Sequence, residues 1–109
     1  MTNSGVGACL MRHGALSSDL RVVAQAMYDD MLTDVRPKLA SIDVPVTMLY
    51  PQDDRLIART EADALYASAY RGTKRLTLKR IEGSYHFVMQ DQPARFAEAL
   101  DAFLDDPSR

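Results

Sequence analysis

The chain has 109 residues, of which 47% are hydrophobic and 26% are charged, which is the composition of one globular domain or less. A net charge of -2 gives no electrostatic reason to expect nucleic acid or an anionic membrane as a partner. The single cysteine, Cys9, excludes an internal disulfide and a cysteine-built metal site, so we expect a protein of the reducing cytoplasm.

The first third of the chain divides into an irregular stretch and a helix. Residues 1–14 are rich in glycine and small polar residues without a period, which predicts a loop. A helix follows, capped by Ser18 or Asp19, because apolar residues recur there at three- and four-residue steps. This stripe, which we expect to pack against a core or cap, consists of Leu20, Val23, Met27 and Met31.

The remaining two thirds predict alternating strands and helices. Val46–Tyr50 and Leu76–Ile81 have the apolar character of strands, and the first is apolar enough to be covered on both faces. Thr60, with Asp63 three residues on, predicts a capped helix that runs to about Tyr70. The predicted buried stripe of this helix consists of Ala62, Leu65, Tyr66 and Ala69. A last helix begins near Pro93. The fold class is therefore α/β, in the order helix, strand, helix, strand, helix, with two parallel strands joined by a crossover.

Each of the two predicted strands is followed by a loop that carries side chains able to take part in acid–base catalysis. Asp53 and Asp54 come just after the first strand, and His86 comes just after the second. The carboxyl ends of parallel strands lie at one edge of a sheet, where clefts open. An acid that orients a histidine, which in turn accepts a proton from a serine, is the arrangement of a hydrolase triad.

The residues around these loops resemble the α/β-hydrolase family. The stretch 44–57 is similar to the strand and acid loop of that family, although Pro51 stands where glycine is usual. Gly83-Ser84-Tyr85-His86 with Asp91-Gln92-Pro93 is similar to its histidine loop and closing helix. The resemblance implies that residues 36–109 are the carboxy-terminal part of an α/β-hydrolase domain and that residues 1–35 end a cap region.

On this resemblance Asp54 is the catalytic acid and His86 the general base. Asp54 is preferred to Asp53 because Leu56 and Ile57 then match the apolar residues that follow the family's acid. The implied activity is that of a serine hydrolase that cleaves an ester or similar acyl bond, and it needs neither a cofactor nor a metal.

The sequence lacks the family's nucleophile motif, Gly-x-Ser-x-Gly. No two of the five glycines lie four residues apart. Ser84 is too close to His86, and no strand pattern precedes Ser4 or Cys9. We therefore expect a carboxy-terminal fragment that is inactive alone, with its serine and oxyanion hole outside this chain.

Structural and non-catalytic interpretations of the same residues are also open. The paired aspartates are also common turn residues, and a histidine in such a loop can cap a neighbouring helix. The whole chain can equally be a non-catalytic α/β binding module, or one half of a split hydrolase whose partner carries the nucleophile.

A two-stranded parallel sheet is a poor domain by itself, so we also expect a marginally stable or self-associating chain.

Overall fold

The computed structural model describes residues 1–106 and has a mixed α/β architecture. Its elements in chain order are α1 (Gly5–Ser17), α2 (Leu20–Leu32), a 3-10 helix (Arg36–Ser41), β1 (Val46–Gln52), α3 (Arg59–Tyr70), β2 (Leu76–Glu82), α4 (Val88–Asp91) and α5 (Pro93–Leu104). Both predicted strands and their parallel pairing are confirmed. None of the helices within residues 1–106 has the length and apolar character needed to cross a membrane.

The two strands pair in register along their whole length. Val46 lies beside Leu76 and Gln52 beside Glu82, so the seven residues of β1 match the seven of β2. A parallel pair needs a crossover, and α3 supplies it. The sheet is consequently open, with one hydrogen-bonded neighbour for each strand among the described residues.

Helices cover both faces of this small sheet. On one face the ring of Tyr50 stacks on Tyr66 of α3, with 4.5 Å between the ring centroids. The other face carries the only cluster of buried hydrophobic residues within residues 1–106, which joins β2 to α4 and α5. The cluster contains Ile81, Val88 and Ala99, with Leu49 and Phe96 packed against it.

A polar cluster fastens α3 to the sheet. The Tyr50 hydroxyl donates to Asp63 at 2.6 Å, and Arg80 of β2 donates to both carboxylate oxygens of Asp63 at 2.7 Å. The bond from Tyr50 and those from Arg80 hold the pKa of Asp63 below its usual range. Asp63 therefore ties β1 and β2 to α3, instead of capping the start of the helix.

The predicted cap of α3 is correspondingly wrong, and its predicted stripe is covered only in part. Its N-cap is Ala58, which makes no side-chain capping bond, so Thr60 does not act as the cap. Ala62 is buried as expected, but the side chain of Leu65 is 56% exposed. Periodicity identified an apolar stripe, and the sheet is too narrow to cover all of it.

Residues 5–17 form a helix, so the predicted loop over residues 1–14 is wrong. Ser4 caps this helix, because its hydroxyl accepts the N–H of Gly7 at 2.8 Å. Gly7 is buried against Thr2 and Gln90, and a β-carbon there would meet both side chains. Glycine is disfavoured in helices, but here it lets the start of α1 lie close to α4.

Helix α2 is confirmed, with Asp19 as its cap, but no residue of its apolar stripe is buried within residues 1–106. The side chain of Asp19 accepts from the N–H of Arg21, and no residue of α2 is buried. Met31 is 83% exposed and Leu20 76% exposed. The expectation that this stripe fills a core or cap is wrong, because helical spacing specifies an apolar face without specifying its partner.

The chain buries little surface for its length. Its accessible surface is 8070 Å², whereas a folded monomer of this size exposes about 6,000 Å². Its radius of gyration is 15.9 Å, against about 13 Å for a compact domain of this length. Most of the large apolar side chains of α1 and α2 are exposed and contribute to this extra surface.

Truncation of the core should destabilise the chain much more than the same truncation on α2. We expect Val88→Ala to lower the free energy of unfolding by about 1 to 3 kcal/mol, because it leaves a cavity beside Ile81 and Ala99. The matched change Val22→Ala removes an exposed side chain and should stay within about 0.5 kcal/mol. Urea denaturation followed by far-ultraviolet circular dichroism measures both, and equal losses would contradict the assigned core.

Candidate functional site

The loops after β1 and β2 meet at the carboxyl edge of the sheet. The carbonyl of Gln52, the last residue of β1, accepts the N–H groups of Gly83 at 2.7 Å and Ser84 at 3.3 Å. Between the loops lies a shallow cavity of about 180 Å³. Its lining residues are Met1, Pro51, Gln52, Asp53, Leu56, Ile57, Ser84, Tyr85 and His86.

Asp53 holds the turn that follows β1. Its carboxylate accepts from the backbone N–H of Arg55 at 3.0 Å, and from the guanidinium Nε and Nη2 of Arg55 at 2.8 and 2.7 Å. Its carbonyl accepts the N–H groups of Leu56 and Ile57. The guanidinium and then the N–H of Arg55 lower the pKa of Asp53 to about 2. Asp53 is therefore a charged turn residue with its oxygens already engaged.

Asp54 is exposed and less constrained. Its Oδ1 accepts one hydrogen bond, from the side-chain amide of Gln52 at 2.7 Å. The same amide donates to the carbonyl of Ile57 at 3.1 Å, so the buried Gln52 fixes the course of the acid loop. Asp54 does not line the cavity that His86 lines, whereas Asp53 does.

The histidine loop turns sharply after β2. Gly83 adopts φ +73°, a conformation that residues with side chains rarely adopt. The next residue, Ser84, is 1% exposed, and its hydroxyl donates to the carbonyl of Ile81 at 2.6 Å. That bond gives Ser84 a structural role, in agreement with its rejection as a nucleophile.

His86 projects from this loop towards solvent, with its ring edge-on to Phe87 at 5.0 Å between centroids. Within residues 1–106, no hydrogen bond or ion pair joins His86 to Asp53 or Asp54. The two loops instead touch where the guanidinium of Arg55 lies over the ring of Tyr85, 5.4 Å from its centroid. The structure thus brings the acid loop and the histidine loop together without forming an acid–histidine pair.

Asp91 organises the histidine loop, a role that the sequence reasoning did not assign. One carboxylate oxygen accepts the N–H of Tyr85 at 2.7 Å, and the other accepts the N–H groups of Asn3 and Ser4 and the hydroxyl of Thr2. Burial opposes ionisation here, but these donors together lower the pKa of Asp91. The feature of the sequence that could have indicated this role is the position of Asp91, two residues before the proline that begins α5.

The side chains around this carboxylate also lock the residues on either side of His86. The Asn3 amide and the Gln92 amide both donate to the carbonyl of Gly83, at 2.8 and 2.9 Å. The N–H of Phe87 donates to the carbonyl of Met1 at 3.3 Å. Residues 1–4 are therefore part of the support of the histidine loop, and the imidazole is the exposed group on a fixed backbone.

No protein-family model, no curated protein and no solved structure matches the chain. Within residues 1–106, no group of three or more histidine, cysteine, aspartate or glutamate side chains is placed to hold a metal ion.

The pH dependence of stability should report on Asp91. Its pKa is depressed in the folded chain, so its stabilising bonds are fully present above the ordinary aspartate pKa of about 4 and are lost as pH falls through the folded value. We expect Asp91→Asn to lower stability at pH 7 by roughly 1 to 3 kcal/mol and to flatten the decline towards acid pH.

Urea midpoints at neutral and acid pH measure this effect. Asp101→Asn, at an exposed position on α5, is the control and should leave both the midpoint and its pH dependence unchanged. An unchanged acid decline in Asp91→Asn would show that the carboxylate does not hold the loop.

Proposed function

We propose that this chain is the carboxy-terminal part of a cytoplasmic serine hydrolase with a partial α/β-hydrolase fold, which cleaves an ester or similar acyl bond. Asp54 is the acid that orients the histidine, and His86 is the general base. The serine and the oxyanion hole come from outside residues 1–109, and the reaction as proposed uses no cofactor.

One observation carries this proposal: an acid loop and a histidine loop leave two adjacent, parallel, hydrogen-bonded strands at the same edge. A triad needs its acid and its base on neighbouring supports, with the base facing a cleft. The fixed backbone around His86 suits a base, because the ring can be oriented while its reactive nitrogen remains accessible.

The two aspartates differ in how readily they can serve the histidine. Asp53 would have to give up its bonds to Arg55, including a charge-assisted pair with the guanidinium. Asp54 would have to give up only the amide of Gln52, and its side chain already lies at the surface. Asp54 is therefore the acid in this proposal, although Asp53 is the one that lines the cavity with His86.

The nucleophile has to be supplied by another strand and turn. Ser84 is buried and bonded to Ile81, and Cys9 lies exposed on α1 with no strand before it. In the proposed enzyme the serine sits opposite His86 across the cavity, where an uncharged imidazole can accept its proton. Loss of a triad serine costs about six orders of magnitude in turnover, so the chain alone should be inactive.

A non-catalytic interaction module is the second candidate. The observation in its favour is the set of exposed large apolar side chains on α1 and α2, in a chain whose total accessible surface exceeds that of a folded monomer of its size. In that case Asp53, Asp54 and His86 would be scaffold and turn residues only.

A fluorophosphonate probe with intact-mass detection separates the two candidates. The purified chain should remain unlabelled, whereas a complex with a polypeptide that carries Gly-x-Ser-x-Gly should gain one probe mass on the serine. His86→Ala should abolish that labelling, and His13→Ala, at an exposed position on α1, should not. Absence of that motif both from every protein that co-purifies and from the coding sequence upstream of Met1 would refute the hydrolase.

The choice between the two aspartates has its own test in such a complex. Asp54→Asn should lower turnover of a nitrophenyl ester by about four orders of magnitude while the melting temperature changes little. Asp53→Asn should lower the melting temperature and leave turnover by the folded complex little changed, since it weakens the turn that Asp53 forms with Arg55. If only Asp53→Asn lowers turnover at unchanged stability, the acid is Asp53.

A further inference from the structure

The outer edge of β1 is an unused hydrogen-bonding edge. Val46 donates its N–H to Arg75, and Gln52 accepts the N–H of Gly83, which marks the two ends of the β1–β2 ladder. In a parallel pair, alternate residues bond the neighbouring strand. The register therefore directs the backbone groups of Val46, Met48, Tyr50 and Gln52 to β2, and those of Thr47, Leu49 and Pro51 to the open side.

The two open edges of the sheet are not equivalent. β2 carries Lys79, Arg80 and Glu82, and charged residues are what proteins place on edges that must stay unpaired. β1 reads Val-Thr-Met-Leu-Tyr-Pro-Gln, has no charge and is half-buried or buried throughout. Pro51 is tolerated because its missing N–H falls on the open side, away from the ladder. Apart from Pro51, the edge of β1 thus has the composition of an interior strand.

The surface available for association is large enough for a stable dimer. The chain exposes about 2,000 Å² more than a folded monomer of its size, out of 8070 Å² in total. A standard protein–protein interface takes about 800 Å² from each partner. Pairing two copies along one edge can therefore bury part of this excess surface.

We infer that the open edge of β1 pairs with the same edge of a second copy of this chain, antiparallel and centred on Leu49. A two-fold axis there makes the contact self-complementary, as closed dimers require. Each Leu49 exchanges both backbone bonds with the other copy's Leu49, and each Thr47 N–H donates to the other copy's Pro51 carbonyl. The two sheets become one, in the order β2-β1-β1-β2.

This register also explains why Pro51 does not prevent pairing. Proline removes one donor opposite Thr47 on each side of the axis and leaves the remaining bonds intact. The inference rests on the sheet edge and the surface area and does not require the proposed hydrolase.

Oligomeric mass and a matched pair of proline variants provide the first test. Light scattering after gel filtration should give twice the mass of one chain. Thr47→Pro removes an outward N–H and should give a folded monomer, since the β1–β2 ladder keeps its bonds. Thr77→Pro, at the register partner, removes a ladder donor and should unfold the chain. A monomeric wild type, or a Thr47→Pro variant that remains dimeric, would overturn the inference.

Disulfide trapping tests the register without depending on the proline variants. In a background of Cys9→Ser, Leu49→Cys places two thiols on the axis, where the α-carbons of a hydrogen-bonded pair lie about 5.5 Å apart, within disulfide reach. Mild oxidation should crosslink most of this variant. Leu78→Cys, on the opposite edge of the sheet, should remain uncrosslinked. A dimer that crosslinks at neither position would show that the interface lies elsewhere, such as on α1 and α2, and would overturn the inference.

Discussion

The parallel pairing of β1 with β2 is the interaction on which the rest of this structure depends. It requires a crossover, so α3 must lie over one face, and it leaves the other face to α4 and α5. It also makes the strands end together, and the carbonyl of Gln52 then accepts N–H groups from the start of the histidine loop. Without this pairing, the acid loop and the loop that carries His86 would not be held next to each other.

Competition for hydrogen bonds decides what each acid of the site can do. Arg55 occupies the carboxylate of Asp53, and the backbone N–H groups around the histidine loop occupy that of Asp91. Both carboxyl groups have depressed pKa values for that reason and are charged at neutral pH. Asp54 retains a single amide donor, so it is the acid whose oxygens remain available for another partner.

The small core of the chain follows from the width of its sheet. A sheet of two strands can cover only a few helical positions, which leaves α2 without a single buried residue. It also provides only two carboxyl ends, whereas the proposed triad needs a third support for its serine. Additional strands along the edge of β1 would extend the sheet and bury more apolar surface, whichever chain supplies them.

The sequence by itself determined the strands, their order, α2, α3 and α5, because apolar periodicity, proline and capping residues act within a few neighbouring positions. It also placed Asp54 and His86 just after their strands. Only the tertiary structure decided that α1 is helical, since burial of Gly7 against α4 overrides its low helix propensity. It likewise decided that Arg55 pairs with Asp53 and that Asp91 supports the histidine loop. Those contacts depend on side-chain directions and on residues distant in sequence, which local patterns do not encode.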